Sequence, residues 1–415
     1  MNSASESFLS TPTTTLNLRP QRGIIAIALF LLTAGAIALG QYGWKQSVLF
    51  LIGGLCGITL YHASFGFASA YRKLLVQREV KSMYAQLVML ALATVLFATV
   101  LATGSAWGQP VQGAIAPIGV QGAIGALLFG IGMQLGGACG CGTLYTIGGG
   151  SYRMLLTLLT FCMGAFGASL TRHLWADLPK HPPIVLGSQI GWLGAVIVQL
   201  LVFGGLALLL RWWSRGKQPL ETSTTPDALP AQSRSESSST SVLTVILRGP
   251  WSLLAGAIAL AILNWCTLIL SGQPWRITWG FALWAAQTAR QFGWDSTSSP
   301  FWGSEASQAV LNRGIFADVS SVMNIGIVLG AGLAAALAGR LVPKGQLTPL
   351  LVVGTLLGGL IMGYGAFLAS GCNVSAFFGG IASTSLHGWV WIIFALLGTW
   401  LGLWLRPFFE TKSVP

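Results

Sequence analysis

IGALLFGIGMQLGGAC, residues 124–139, and LGGLIMGYGAFLASGC, residues 357–372, are two copies of one segment, and each ends at a cysteine set in glycine. At one constant offset Gly125 falls on Gly358, Leu127 on Leu360, Gly130 on Gly363, Gly132 on Gly365, Leu135 on Leu368 and Cys139 on Cys372. A duplicated apolar segment with a polarizable thiol at the same place in both copies has the form of a two-fold path. Many transporters bring repeats together near the bilayer midplane, with interrupted helices around the substrate. Plain packing gives the same pattern, because dense Gly lets helices approach closely and a buried Cys is a small hydrophobe.

The rest of the chain decides the solvent. Of 415 residues 53% are hydrophobic and 8% charged, with a mean hydropathy of +0.71. Soluble domains carry about 25% charged residues, so most of this surface must face lipid. Apolar runs near the roughly 20 residues of a span cover Ile24–Gly40, Ser47–Ala70, Ala85–Ala102, Gly122–Leu135, Met154–Leu170, Ile190–Leu210, Leu253–Leu270, Ile277–Ala289, Val319–Leu341, Leu350–Leu368 and Val390–Leu405. Gly122–Leu135 and Ile277–Ala289 are short and read as half-helices or re-entrant segments, which leaves about nine to eleven spans. Ala36-Ile37-Ala38 would allow the first run to be a cleaved signal peptide, but the many later spans favour a retained helix.

The net charge of +12 is spread over loop ends. It suits an anion and an anionic lipid surface, and no basic block or aromatic-interleaved stretch speaks for nucleic acid. Arg19 and Arg22 before the first run, and Arg72, Lys73, Arg78 and Lys81 after the second, belong in the cytoplasm by the positive-inside rule. Arg340, Lys344, Arg406 and Lys412 then fall on loops that simple alternation places outside. Either a short segment does not cross or the repeats are inverted. No carboxylate sits mid-run, so a proton relay of the Asp/Glu type has no candidate.

The expected fold is an all-α polytopic membrane protein: two pseudo-symmetric repeats of transmembrane helices, with short re-entrant or broken helices carrying Gly-Cys loops at the midplane. Residues 1–23 form a polar tail, 24–213 the first membrane repeat, 214–247 a flexible Ser/Thr-rich linker, 248–408 the second repeat and 409–415 a C-terminal tail. The aromatic residues gather at segment ends, as a headgroup belt does. His62, His173, His181 and His387 read as hydrogen-bonded structural residues.

Six cysteines occur, at 56, 139, 141, 162, 266 and 372. Cys162 and Cys266 lie in apolar runs without Gly and read as packing. Cys139-Gly140-Cys141 has no His or carboxylate beside it to complete a tetrahedral metal site, and a C-x-C disulfide is strained. In Gly136–Thr143 and Ala369–Ser375 the helix should break after Leu135 or Leu368, with a new turn near Thr143 or Ser375. Such a break exposes backbone N–H groups, which attract anions, while the thiol adds a weak donor and a soft surface. An oxyanion with a sulfur terminus is matched at both ends. The binding candidates are Cys139, Cys141, Cys372, Gly137, Gly140, Gly371 and Asn373.

GMQLGGACGCGTLYTIGGG and GYGAFLASGCNVSAFFGGIASTSLHGW resemble the two glycine-cysteine motifs of the YeeE/YedE family of bacterial sulfur-transport membrane proteins, from about Phe50 to Leu405. The resemblance implies thiosulfate uptake through an all-helical body pinched by cysteine-bearing loops, with Cys139 and Cys372 on the family's two central cysteines and Cys141 extra. The family pattern also has an earlier cysteine, before an aromatic-Arg pair. Here that stretch is Ser64–Arg72, with Gly66 in the cysteine's place and Tyr71-Arg72 as the pair. Cys56 or Cys141 would have to replace the missing thiol.

No P-loop is present, so passage is expected to be facilitated, inward across the cytoplasmic (inner) membrane, from thiol to thiol. No metal or cofactor is called for; the partners are the sulfur anion, the bilayer and a cytosolic sulfur carrier. Two rivals stay open: transport of a selenium or other sulfur compound, and a membrane thiol enzyme in which Cys139 or Cys141 holds a persulfide.

Overall fold

The computed structural model describes residues 19–215, 242–343 and 347–409. Most of the N-terminal tail, the Ser/Thr linker and the C-terminal tail, with Lys344 and Lys412, lie outside them. The fold is predominantly helical, and ten segments among the described residues are long and apolar enough to cross a membrane.

In chain order the helices are α1 (Arg22–Leu39), α2 (Trp44–His62), α3 (Phe67–Arg72, prolonged by a π-turn to Gln77), α4 (Lys81–Leu101), α5 (Val120–Gly136), α6 (Gly140–Gly148), α7 (Tyr152–Thr171), α8 (Leu186–Ile190), α9 (Trp192–Ser214), α10 (Val242–Arg248), α11 (Leu253–Ser271), α12 (Ile277–Gln291), α13 (Glu305–Arg313), α14 (Val319–Leu337), α15 (Pro349–Leu368), α16 (Gly379–Ala382, preceded by a π-turn over Asn373–Phe378) and α17 (His387–Leu405). Several starts are set by short polar side chains that satisfy a first-turn N–H: Ser252 accepts from Ala255 at 3.1 Å, Asp318 from Ser321 at 2.8 Å, and Thr348, just before Pro349, from Leu351 at 3.3 Å.

Glycine decides how the long helices pack. A Cβ on Gly53 would strike the backbone of Met323 and one on Gly57 that of Ile327, so α2 and α14 run parallel in close contact. Gly125 lies against Gly365 and Ala369 while Gly132 lies against Gly358 and Met362, so α5 and α15 are antiparallel. By the same reading α17 runs with α5, and α7 runs with α15. The plain-packing reading therefore holds for Gly53, Gly57, Gly125 and Gly132.

The short segment answers the charge puzzle. At 15 residues, α12 is about 22 Å long, short of the ~30 Å hydrocarbon core. Its first carbonyl accepts from Asn324 Nδ2 at 3.1 Å, one to two turns inside α14. Hence α12 starts within the bundle and turns back to the side where α11 ended. With α12 not crossing, Arg72, Lys73, Arg153, Arg211, Arg340 and Arg406 fall at one end of the bundle, joined by the contacts Gln21 N–Ala336 O at 3.0 Å and Trp251 N–His62 O at 3.0 Å. The opposite end gathers the loops 102–119, 172–191, 272–276 and 292–318, tied by Gln112 N–Gly272 O at 2.9 Å and Ala114 N–Ser383 Oγ at 2.9 Å.

Candidate functional site

Both copies of the repeated segment break at their cysteines. α5 ends at Gly136, Gly137 takes φ +92°, and Cys139 is itself the N-cap of α6, its Sγ accepting from Gly142 N–H at 3.4 Å. In the second copy α15 ends at Leu368, Ser370 and Gly371 take φ of +60° and +148°, and Cys372 is the N-cap of the turn that begins at Asn373. The new helices start at Gly140 and Asn373, earlier than the expected Thr143 and Ser375. The reason is chemical: the thiol sulfur serves as the cap acceptor, a role Ser or Asp usually takes, and left-handed residues just before it let the chain reverse within a few residues.

The backbone N–H groups of Phe67 and Ala68 also point at Cys139 Sγ, so the start of α3 converges on the start of α6. Cys372 Sγ faces the N–H groups of Val374 and Ser375 and the Ser375 hydroxyl at 3.7 Å, and the same hydroxyl accepts from Cys372 N–H at 3.0 Å. Helix N-termini carry partial positive charge, and here three of them end on two sulfurs. Cys141 Sγ lies 3.4 Å from Cys139 Sγ, and a Cβ on Gly140 would stand 3.6 Å from Cys372 Sγ. All three thiols are free and 1% exposed. Asn373 Nδ2 donates to Tyr71 Oη at 3.0 Å, and this buried pair packs beside Cys139 and Cys141.

The other sequence candidates lie on the segments that lead to these thiols. Gly66 is the residue before α3, in extended backbone, half-exposed on the basic side; a Cβ there would stand 2.8 Å from Ser69 Oγ and 3.4 Å from Tyr145 Oη. Arg72 closes the last turn of α3, half-buried. Gly137 leaves room for the Arg153 guanidinium, 3.0 Å from where its Cβ would be. Cys56 is not part of the cluster: on α2 its neighbouring thiol is Cys266. Of the two proposed substitutes for the missing thiol, only Cys141 stands beside Cys139.

Residues that sequence reasoning passed over complete the surroundings. Arg153, 3% exposed, donates to Leu135 O at 3.0 Å and Thr355 Oγ1 at 3.1 Å, so it covers the carbonyl end of α5. Tyr71 and Tyr145 stand near Cys139 and Cys141. Toward the other end of the bundle a vestibule of about 770 Å³ descends to Ser370, Gly371 and Ser375, directly beside Cys372, and Arg172 and Arg276 stand on its walls. Of these, only Tyr71 has a signal in the sequence, its place before Arg72; the others meet through tertiary contacts between distant segments. Among the described residues no group of His, Cys, Asp and Glu could hold a metal ion.

A family model described as sulphur transport matches residues 62–401. The Spirochaeta thermophila protein named thiosulfate transporter TsuA is 28% identical over 376 residues, covering 86% of this chain and 97% of the relative. Thiosulfate transporter TsuA of Escherichia coli is 23% identical over 372 residues, with 86% and 93% covered. The E. coli protein named "Probable transporter YedE" is 30% identical over 152 residues, 37% of each chain.

Proposed function

The chain belongs to the sulphur transport family, and on that premise we propose that it takes up a small sulfur-containing anion, thiosulfate, past the cluster of Cys372, Cys141 and Cys139. The observation that carries this reading is the convergence of both repeated cysteines, with Cys141, at a closed point between a vestibule on one side and the half-exposed Gly66 on the other. The anion's oxygens meet the N–H groups that start α3, α6 and the turn after Cys372, while S–H groups meet its terminal sulfur. Each thiol bond is weak. Several weak sites in series let an ion leave as well as enter, where one tight site would trap it.

Gly137 and Gly371 bend the chain so that the sulfurs face each other, Gly140 keeps the space between them open, and Asn373 with Tyr71 forms the wall that must give way. Gly66 and Arg72 then lie on the exit. The positive-inside rule assigns the end with Arg72, Arg153 and Arg340 to the cytoplasm and makes the vestibule the outer mouth, which gives inward passage across a bacterial inner membrane. The segments 24–213 and 248–408 act as inverted repeats, a reading supported by the antiparallel course of α5 and α15. The short helices α3 and α12, each starting inside the bundle, are its re-entrant pieces.

The reading is tested by growth of a sulfur-source auxotroph lacking its own thiosulfate uptake. Cells making the full chain are expected to grow on thiosulfate and to accumulate labelled thiosulfate, and cells without it are not. Absence of uptake with the protein present in the membrane would turn attention to selenium and other sulfur anions.

The thiol assignments give a sharper expectation. A hydrogen bond to a charged group contributes about 1.5–3 kcal/mol, so Cys141→Ala should cut uptake per molecule by about tenfold or more. Cys56→Ala, Cys162→Ala and Cys266→Ala should leave it within twofold, because those thiols only pack against neighbouring helices. The check is labelled uptake divided by membrane abundance; full uptake by Cys141→Ala would mean that two thiols suffice.

A further inference from the structure

Cys139 and Cys141 stand closer together than separate stations of a path require. Their sulfurs are 3.4 Å apart, both residues are 1% exposed and both thiols are free. Side chains two positions apart in one helix point to different faces. Here Cys139 is the N-cap, in extended backbone at φ −84° and ψ −179°, while Cys141 lies in the first turn of α6, so the two sulfurs turn to one side. An S–S bond is about 2.0 Å long, and modest side-chain rotation closes the remaining gap.

The surroundings give the two sulfurs different parts. Gly142 N–H reaches Cys139 Sγ at 3.4 Å and the N–H groups of Phe67 and Ala68 point at it, so donors stand ready for the negative charge of an attacking sulfur. Cys141 is then the thiol within reach of whatever forms on Cys139. Exchange at a sulfur–sulfur bond needs such a pair, one thiolate that attacks and a second that resolves the mixed product. Cys372 lies across Gly140, and Cys56 has Cys266 as its neighbour.

We propose that Cys139 and Cys141 are a reversible dithiol–disulfide site oxidised by a polythionate, and that the disulfide closes the path. The oxidant's route rests on the transport reading above: residues 1% exposed are met by what the path admits, and a polythionate carries the double charge, sulfonate oxygens and sulfane sulfur of thiosulfate. With tetrathionate, the Cys139 thiolate attacks one of the two central sulfurs; the central S–S bond breaks and thiosulfate leaves with its electron pair. Cys139 Sγ now carries an S–SO3 group. The Cys141 thiolate attacks Cys139 Sγ, the bond to that group breaks, and a second thiosulfate leaves. Two thiols have lost two electrons and two protons; the protons pass to solvent, and the electrons have reduced one tetrathionate to two thiosulfates. The C-x-C ring is strained, and strained disulfides are readily reduced, so a dithiol restores the site. While the disulfide lasts, neither sulfur has an S–H to offer and Cys372 alone remains.

The experiment treats the purified, reduced full chain in detergent with tetrathionate and reads the mass of the peptide that carries residues 139 and 141. In the wild type this peptide is expected to become two hydrogens lighter and to resist alkylation, and dithiothreitol should return both thiols. In Cys141→Ala the resolving thiol is missing, so the same peptide should instead become heavier by one S–SO3 group on Cys139. In cells washed after tetrathionate, labelled thiosulfate uptake by the wild type should fall about tenfold or more, as loss of hydrogen bonds to a charged group does, and recover with dithiothreitol.

A peptide unchanged in mass, with both thiols still alkylated, would overturn the proposal, and so would a link from Cys139 to Cys372 in its place. Diamide, a small uncharged thiol oxidant, is the comparison: a disulfide formed by diamide and not by tetrathionate would overturn the polythionate as its oxidant. Normal uptake with the disulfide formed would overturn closure of the path. If the wild type takes up no thiosulfate at all, the transport reading fails, while the peptide mass still decides the dithiol site.

Discussion

Cys372→Ala and Cys139→Ala are each expected to bring thiosulfate uptake to background while the protein stays in the membrane near its normal amount. Either change removes one sulfur from a site that is 1% exposed and lined by backbone N–H groups. What is lost from the path is the soft donor and acceptor; what is lost from the fold is small. Ser375 Oγ keeps its bond from residue 372 N–H at 3.0 Å, and Thr143 Oγ1 still reaches the carbonyl of residue 139 at 2.9 Å, so both helix starts retain an anchor. The two losses should not add, because a path in series is closed by one missing station. Uptake divided by immunoblot abundance decides the matter, and normal uptake per molecule in either variant would sink the relay.

Much of this site is legible in the chain, and what is not has a physical cause. The repeat that places Cys139 on Cys372 is visible because side-chain identity is preserved where backbones nearly touch, as at Gly132 against Met362. The charges Arg340 and Arg406 leave open a segment that does not cross or inverted repeats, and the 15-residue α12, whose first carbonyl is held inside α14, favours the first. The start of the new helices was displaced by three residues in the first copy because Cys is a rare cap, so local propensity pointed to the hydroxyl of Thr143. The approach of Phe67 to Cys139, of Gly140 to Cys372 and of Arg172 to the same vestibule as Arg276 joins segments far apart in sequence. No periodicity within one segment encodes such meetings. Of the two thiols offered for the missing one, Cys56 has Cys266 as its neighbouring thiol and Cys141 has Cys139, a difference set by how the helices pack and not by distance along the chain.

Gly330→Val should remove the protein from the membrane almost entirely, at least about fivefold in abundance, and uptake with it. A Cβ at position 330 would stand 1.9 Å from the carbonyl oxygen of Gly54, with further contacts below 3 Å to Gly54 backbone. Gly326 meets the carbonyl of Phe50 at 2.3 Å by the same measure, and Gly53 and Gly57 meet α14 in return, so four glycines at helical spacing interlock α2 with α14. Inserting bulk into a packed site costs typically ~1–3 kcal/mol where side chains can shift, but here only backbone faces backbone and the two helices must separate. That separation would also move Asn324, which holds the start of α12 at Ile277 O, and with it the wall between vestibule and thiols. The comparison is Gly205→Val in α9, where no atom lies within 4 Å of the added carbon. It should accumulate and transport as the wild type does. Comparable loss in both variants would mean that bulk anywhere in these helices is harmful, and normal abundance of Gly330→Val would show that α2 and α14 are not locked together by their glycines.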